Sequence, residues 1–204
     1  MFRIGFALLG LALFSMAPLA AEPLAAPSAA DTITRFHHTI ADAMSRSAKL
    51  GCEGRTQLLQ PAVVETFDIP FIAERALRRH WKTLQALERE RFTAALQASV
   101  VSTYATEFAK PDAVRFSTDS SDTLPNGDAV VHATLAPQQG SPVALDYVMR
   151  LREGHWQIVN VLAEGVSDLA LRATQYDGLM KSDGFAALMG KLDAQAAKLK
   201  ARCK

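Results

Sequence analysis

Beyond its N-terminal segment the chain lacks any long apolar run. A membrane-spanning helix needs about 20 mostly apolar residues in a row, so a polytopic membrane protein is excluded. Charge of one sign is missing too: 22 Lys and Arg face 21 Asp and Glu, for a net charge of +1 at pH 7. No global field gathers nucleic acid, and no nucleic-acid partner is expected. Cysteine is scarce; Cys52 and Cys203 are the two present, and neither stands at zinc-ligand spacing from a histidine. No metal and no cofactor are expected. Internal repeats and linker-like stretches are absent as well, which excludes a solenoid and favours one domain.

What is present begins with Arg3, the apolar run from Ile4 to Met16 and the small-residue stretch Ala17-Pro18-Leu19-Ala20-Ala21. This is the pattern of a secretory signal peptide, with cleavage expected after Ala21. Residues 22–30 then read as a flexible leader and 31–204 as one soluble domain. Loss of Arg3 brings the net charge to zero. The remaining length of about 180 residues suits a single domain. An apolar content of 49% is enough for a full core or for a core with a pocket. In an exported chain Cys52 and Cys203 are either bridged, joining the end of the first helix to the C-terminal tail, or two free thiols.

Hydrophobic spacing divides the domain into three stretches. Ile33, Phe36, Ile40 and Met44 recur at helical steps from a cap at Asp31 or Thr32 toward Gly51. A short helix over Arg55–Glu65 and a third opened by Pro70 follow. Thr83 is the expected cap of the longest helix, whose stripe Leu87, Phe92, Leu96, Val100, Tyr104 and Phe108 ends before Pro111. After Pro111 the period changes to 2. Val114 and Phe116 lead to the turn Pro125-Asn126-Gly127-Asp128, a second strand covers 129–135, and Val143, Leu145, Tyr147, Met149 and Leu151 alternate in a third. Glu153-Gly154 turns the chain into a fourth, with Trp156, Ile158 and Asn160 on one face and Val159 and Val161 on the other. Helices return from Ser167 and from Phe185. The expected fold is α+β: a four-stranded antiparallel meander covered by N- and C-terminal helices.

Residues with chemical potential are few. His132, Asp146, His155, Ser167 and Asp168 are the candidates for a small isomerase or hydrolase, but no nucleophile motif surrounds Ser167. Asp146 beside Tyr147 is the carboxylate worth testing as an acid–base group, and strand alternation turns it away from the Tyr147 side. His38 and Asp42 share a helix face without a third ligand. Arg75, Arg78, Arg79, His80 and Lys82 form a basic cluster interleaved with Glu74. It is either a solvated face or a docking patch.

The phrases Phe67-Asp68-Ile69-Pro70-Phe71 with Ala76-Leu77 and Trp81, and Arg91-Phe92 with Tyr104-Ala105, run in order along the chain. So do Pro142-Val143 with Asp146-Tyr147, Trp156-Gln157-Ile158-Val159, and Glu164-Gly165-Val166-Ser167 with Arg172. As an ordered set they resemble the MlaC-type, toluene-tolerance-associated periplasmic proteins. The stretch Gly51-Cys52-Glu53-Gly54-Arg55-Thr56 resembles the hopanoid-associated HpnM branch of that family.

The resemblance implies a monomeric periplasmic lipid shuttle, not an enzyme. It would carry a phospholipid or a hopanoid between an outer-membrane lipid complex and an inner-membrane ABC transporter, with the hydrocarbon held between sheet and helices. A tail of sixteen carbons loses on the order of 12 kcal/mol in water at about 0.8 kcal/mol per CH₂, so such cargo needs a dry apolar cavity. The expected walls are Val143, Leu145, Tyr147 and Met149 on the sheet and Phe92, Leu96, Val100 and Tyr104 on the long helix. Phe67 and Phe71 lie at the joint, and Trp81 and Trp156 are placed at the rim. Arg75, Arg78, Arg79 and Lys82 are the expected headgroup or partner contacts. An envelope adaptor without lipid would instead show a filled core and one exposed apolar patch.

Overall fold

The computed structural model describes residues 27–111 and 113–203; the expected signal peptide, its cleavage point and most of the expected leader lie outside the described residues. The first helix, α1 (Ala29–Ser45), begins earlier than the spacing suggested. Ser28 is its cap: the Asp31 N–H donates to Ser28 Oγ at 3.1 Å while the Ser28 N–H donates to the Asp31 carboxylate at 3.0 Å. Asp31 thus closes a capping box from the third helical position, and Ala29 is already buried. Helix α2 (Ser47–Thr66) starts directly after Arg46 and kinks at Gly51, whose φ of 59° lies where glycine is favoured. Gly54, three residues on, is helical.

Asp68 caps α3 (Ile69–Leu77), its side chain accepting from the Phe71 N–H, and Pro70 sits in the first turn. A 3₁₀ turn (Arg78–Thr83) then leads to α4 (Ala86–Glu107). Gln85, rather than the expected Thr83, is the cap of α4, because it forms the reciprocal pair with Glu88.

The sheet runs β1 (Val114–Thr123), β2 (Ala129–Pro137), β3 (Val143–Arg152), β4 (His155–Ala163) and β5 (Val166–Ser167), all antiparallel and in chain order. It therefore has five strands, not four: Leu162 pairs with Ser167 and Ala163 with Val166. Two residues are too short to show an alternation, which is why the last strand escapes a period-based reading. The turns at Glu153-Gly154 and Glu164-Gly165 place both central residues at positive φ, as two-residue hairpins require. Helix α5 (Asp168–Ser182) follows at once, capped by Ser167, and α6 (Gly184–Arg202) closes the fold.

Register decides which residues meet. A shift between Val148 and Met149 bulges β4, so Ile158 pairs with Met149 while Val161 pairs with Tyr147. Ile158 and Val161 consequently share the core face, and Asn160 turns to the other with Val148. Strict alternation had put Asn160 with Ile158 and Val161 opposite; the bulge reverses that.

Helix α1 lies on β1, β2 and β4, burying Ile33, Phe36 and Ile40. Helix α4 has its close backbone contacts with α2, α3 and α6 rather than with the strands. Cys52 and Cys203 are joined by a disulfide with Cα atoms 5.3 Å apart, tying α2 to the end of α6. Closing so long a loop stabilises the fold by about 5 kcal/mol in the chain-entropy description. Beside it the buried Arg55 donates through Nε to the Ala105 carbonyl of α4 at 2.9 Å. Among the described residues no helix is long and apolar enough to cross a membrane.

Candidate functional site

Because α4 stands off the sheet, only side chains can fill the interval, and toward its C-terminal end they do not fill it completely. A crevice of about 290 Å³ remains. Its sheet wall is Phe116, Leu135, Leu145, Tyr147 and Val161; its helix wall is Val100, Thr103, Tyr104 and Phe108, and Phe67 closes one end. Strand pairing assembles the sheet wall from four strands, since Phe116 of β1 pairs with Leu135 of β2 and Tyr147 of β3 with Val161 of β4. Glu107, Asp168 and Arg172 mark the rim. Asp168 and Glu107 are exposed, which places the opening there.

Aromatic rings form a continuous lining. Phe67 and Tyr104 lie 6.1 Å apart, Tyr104 and Phe108 stack at 5.6 Å, and Phe108 and Phe116 follow at 5.4 Å. Phe36 braces this row from α1, edge-on to Phe67 at 5.5 Å and to Tyr104 at 5.1 Å. Such edge contacts fix ring orientation beyond simple burial.

Polar groups at the crevice are few and specific. His37 of α1 stacks on Phe116 at 4.4 Å and meets the Tyr147 hydroxyl through Nε2 at 3.0 Å. Burial, with a smaller push from His38, pulls the His37 imidazole down to about 4, so it is neutral at pH 7. Burial raises the Tyr104 phenol, with a further push from Asp168, and raises Tyr147 in the same way. Both tyrosines stay protonated. At the rim, burial opposes the charge on Arg172, but the Asp168 carboxylate 2.6 Å from its Nε more than offsets this.

Of the twelve residues expected to wall a cavity, the fold brings five to this crevice: Phe67, Val100, Tyr104, Leu145 and Tyr147. Phe92, Leu96 and Met149 are instead sealed core with no exposure at all. Val143 is half-buried at the margin of that core. Phe71 lies on the opposite face of the sheet, beneath the guanidinium groups of Arg150 at 4.6 Å and Arg75 at 5.1 Å. Trp81 packs under Arg89, which also donates to its carbonyl, and Trp156 lines a small recess with Thr32 and Arg35. Neither tryptophan reaches the rim.

The basic cluster is likewise divided. Arg75 and Arg78 line a shallow groove on the outer sheet face with Asp128 and Arg150. Arg79 and His80 both pair with Asp177 of α5. Lys82 is exposed on the 3₁₀ turn. The crevice residues missed by sequence reading are Thr103, Phe108, Phe116, Leu135, Val161 and the rim charges. Phe108 and Phe116 carried a usable signal, one continuing the α4 stripe and the other starting β1. Val161 was hidden by the bulge.

The remaining chemical candidates have structural partners. His132 donates to the Asp146 carboxylate at 2.7 Å or the Asp122 carboxylate at 3.1 Å, and to both when protonated, on the outer face away from Tyr147. Ser167 caps α5 and donates to Asn160 at 3.0 Å. Asp42 pairs with Arg46 rather than sharing a ligand with His38. No group of three His, Cys, Asp or Glu among the described residues is placed to hold a metal. Besides the outer-face groove of about 470 Å³, larger grooves lie elsewhere: one of about 790 Å³ beside the disulfide and one of about 580 Å³ beside Asp68. Their walls carry Glu53 and Lys200 in the first and Glu65, Arg152 and Glu153 in the second, so neither offers a dry apolar interior.

Known proteins supply the context. The family model described as MlaC protein matches residues 34–194. A solved phospholipid-binding protein from Ralstonia solanacearum, in complex with a phospholipid, superposes with a TM-score of 0.74 over 85% of this chain and 99% of that chain. The two are 19% identical, so this likeness speaks for the fold. No curated protein sequence matches the chain. The family match reaches from within α1 to within α6, taking in the whole sheet and both walls of the crevice, and the chain belongs to the MlaC family.

Proposed function

We propose that this protein is a periplasmic lipid carrier, not an enzyme. It takes the hydrocarbon of a phospholipid or a hopanoid into the crevice between α4 and the sheet and leaves the polar head outside. The observation that carries this reading is the aromatic-lined crevice, open at a rim where the charged residues collect. Support comes from family membership and from the fold shared with a protein whose structure holds a phospholipid. The lipid is cargo, and no cofactor is needed.

Physical chemistry points the same way. Open at its rim, the crevice leaves aromatic and aliphatic surface in contact with water, which is unfavourable by about 25 cal/mol per Å² of apolar area. Filling it with methylenes recovers that term and removes the tail from water. The space equals roughly ten water volumes, enough for a segment of one tail. Full entry requires α4 to move away from the sheet, and side chains alone join the two. Shuttling between an inner-membrane ABC transporter and an outer-membrane complex completes the proposal. Arg75 and Arg78, on the outer sheet face and without an ion-paired carboxylate among the described residues, are the candidates for an acidic partner.

The test is organic extraction of freshly purified protein followed by mass spectrometry. The carrier reading expects about one lipid per chain. Lipid-free protein of unchanged stability contradicts it, and turnover of a small substrate would favour an enzyme instead.

A further inference from the structure

Three hydroxyl groups sit in the wall of the crevice; Thr103 donates to the Ser99 carbonyl of its own helix, whereas the protein leaves those of Tyr104 and Tyr147 without an acceptor. Tyr104 has no hydrogen-bond partner among the described residues, and its oxygen is not one of the two sealed side-chain atoms without a hydrogen bond, His37 Nδ1 and the Asp68 Oδ2 that ion-pairs with Arg152. It therefore faces the crevice that Tyr104 lines. Tyr147 is different, because His37 Nε2 lies 3.0 Å from its hydroxyl. His37 Nδ1 is buried with no partner. An orphaned N–H is costlier than an orphaned lone pair, so the imidazole proton belongs on Nε2. His37 then donates to the Tyr147 oxygen, and the Tyr147 proton is left pointing to the cargo.

The two hydroxyls are placed to act together. They line one crevice from opposite walls, Tyr104 from α4 and Tyr147 from β3. Donors in a dry site are expensive to leave unmade, so the cargo must bring acceptors to this depth, just inside the charged rim. A pentacyclic hydrocarbon brings none there. A diacyl lipid with its head outside brings two ester carbonyls.

We infer that Tyr104 and Tyr147 donate hydrogen bonds to the ester carbonyl oxygens of a fatty-acyl lipid, with His37 setting the direction of the Tyr147 hydroxyl, so that the crevice prefers ester-linked to ether-linked chains. This rests on the carrier reading and narrows it. His37 is a positioning residue; Tyr104 and Tyr147 touch the lipid.

The experiment offers the protein equal amounts of diester and diether phosphatidylcholine of the same chain length, together with a pentacyclic alcohol, and reads the bound species by native mass spectrometry. The diether lipid keeps head and tails and lacks only the carbonyls. The native chain takes the diester over the diether by about five-fold or more, the effect of one or two neutral hydrogen bonds. Tyr104→Phe, which keeps the ring, brings the ratio toward one, and His37→Leu lowers it in part. A native ratio near one overturns the inference, as does a ratio that Tyr104→Phe leaves unchanged or a pentacyclic alcohol that displaces the diester. If no lipid of any kind binds, the carrier reading falls as well, a result distinct from unselective binding.

Discussion

Under α1 the core face of the sheet is sealed, whereas under the C-terminal half of α4 the same face stays open, although both helices bring aromatic and aliphatic side chains to it. Ile33, Phe36 and Ile40 are all but inaccessible, while Val100, Tyr104 and Phe108 remain half-buried. The difference lies in the backbones: α1 rests on β1, β2 and β4, and α4 is held by α2, α3 and α6. A helix resting on strands packs its stripe into them. A helix suspended from other helices presents its stripe to a gap. Even within α4 the contrast holds, since Phe92 packs edge-on to Tyr176 at 5.7 Å and is sealed.

The sharpest way to break this comparison is to cut an equivalent contact on each side. Phe36→Ala, on the sealed side, is expected to lower unfolding free energy by about 3–5 kcal/mol. Val100→Ala, facing the crevice, should lower it by less than about 1 kcal/mol, because the space beside it already exists. Urea melts of the two variants check this. Equal losses would mean that the gap is packed in solution.

His37 lies at the boundary between the two regions and gives a second measure. Its folded pKa of about 4 lies below the ordinary 6.5, so folding favours the neutral ring. That contribution is complete above pH 6.5 and is lost as pH falls from 6.5 toward 4, where the unfolded chain binds the proton and the folded chain does not. Its size is roughly 3 kcal/mol. Urea melts at pH 7 and pH 4 should show His37→Leu losing less stability on acidification than the native chain; equal losses would place His37 in contact with water.

Much of this arrangement could be read from the residues and part of it could not. The change of period after Pro111, the NG turn and the unbroken alternation from Val143 to Leu151 revealed the sheet, because alternation is local and dense there. The suspended position of α4 was invisible. Phe92, Leu96, Val100 and Tyr104 form one regular stripe, and nothing in that spacing tells which half meets solid core. Phe71 was misplaced for a related reason: its neighbours Ile69 and Ile72 are core, yet its ring carries arginines on the far face of the sheet. The bulge at β4 depends on pairing with β3, so Val161 could not be assigned to the crevice from β4 alone.

The central claim is that the space between α4 and the sheet holds hydrocarbon, and filling it tests this with the smallest disturbance of the fold. Val161→Trp projects a large apolar ring from the sheet wall into the crevice. The account predicts an unfolding free energy within about 1 kcal/mol of native, less than the 1–3 kcal/mol loss typical of overpacking a closed core. It also predicts a several-fold drop in bound lipid by native mass spectrometry. A Val161→Trp variant that carries the native complement of lipid, or one that unfolds as an overpacked core does, would contradict it.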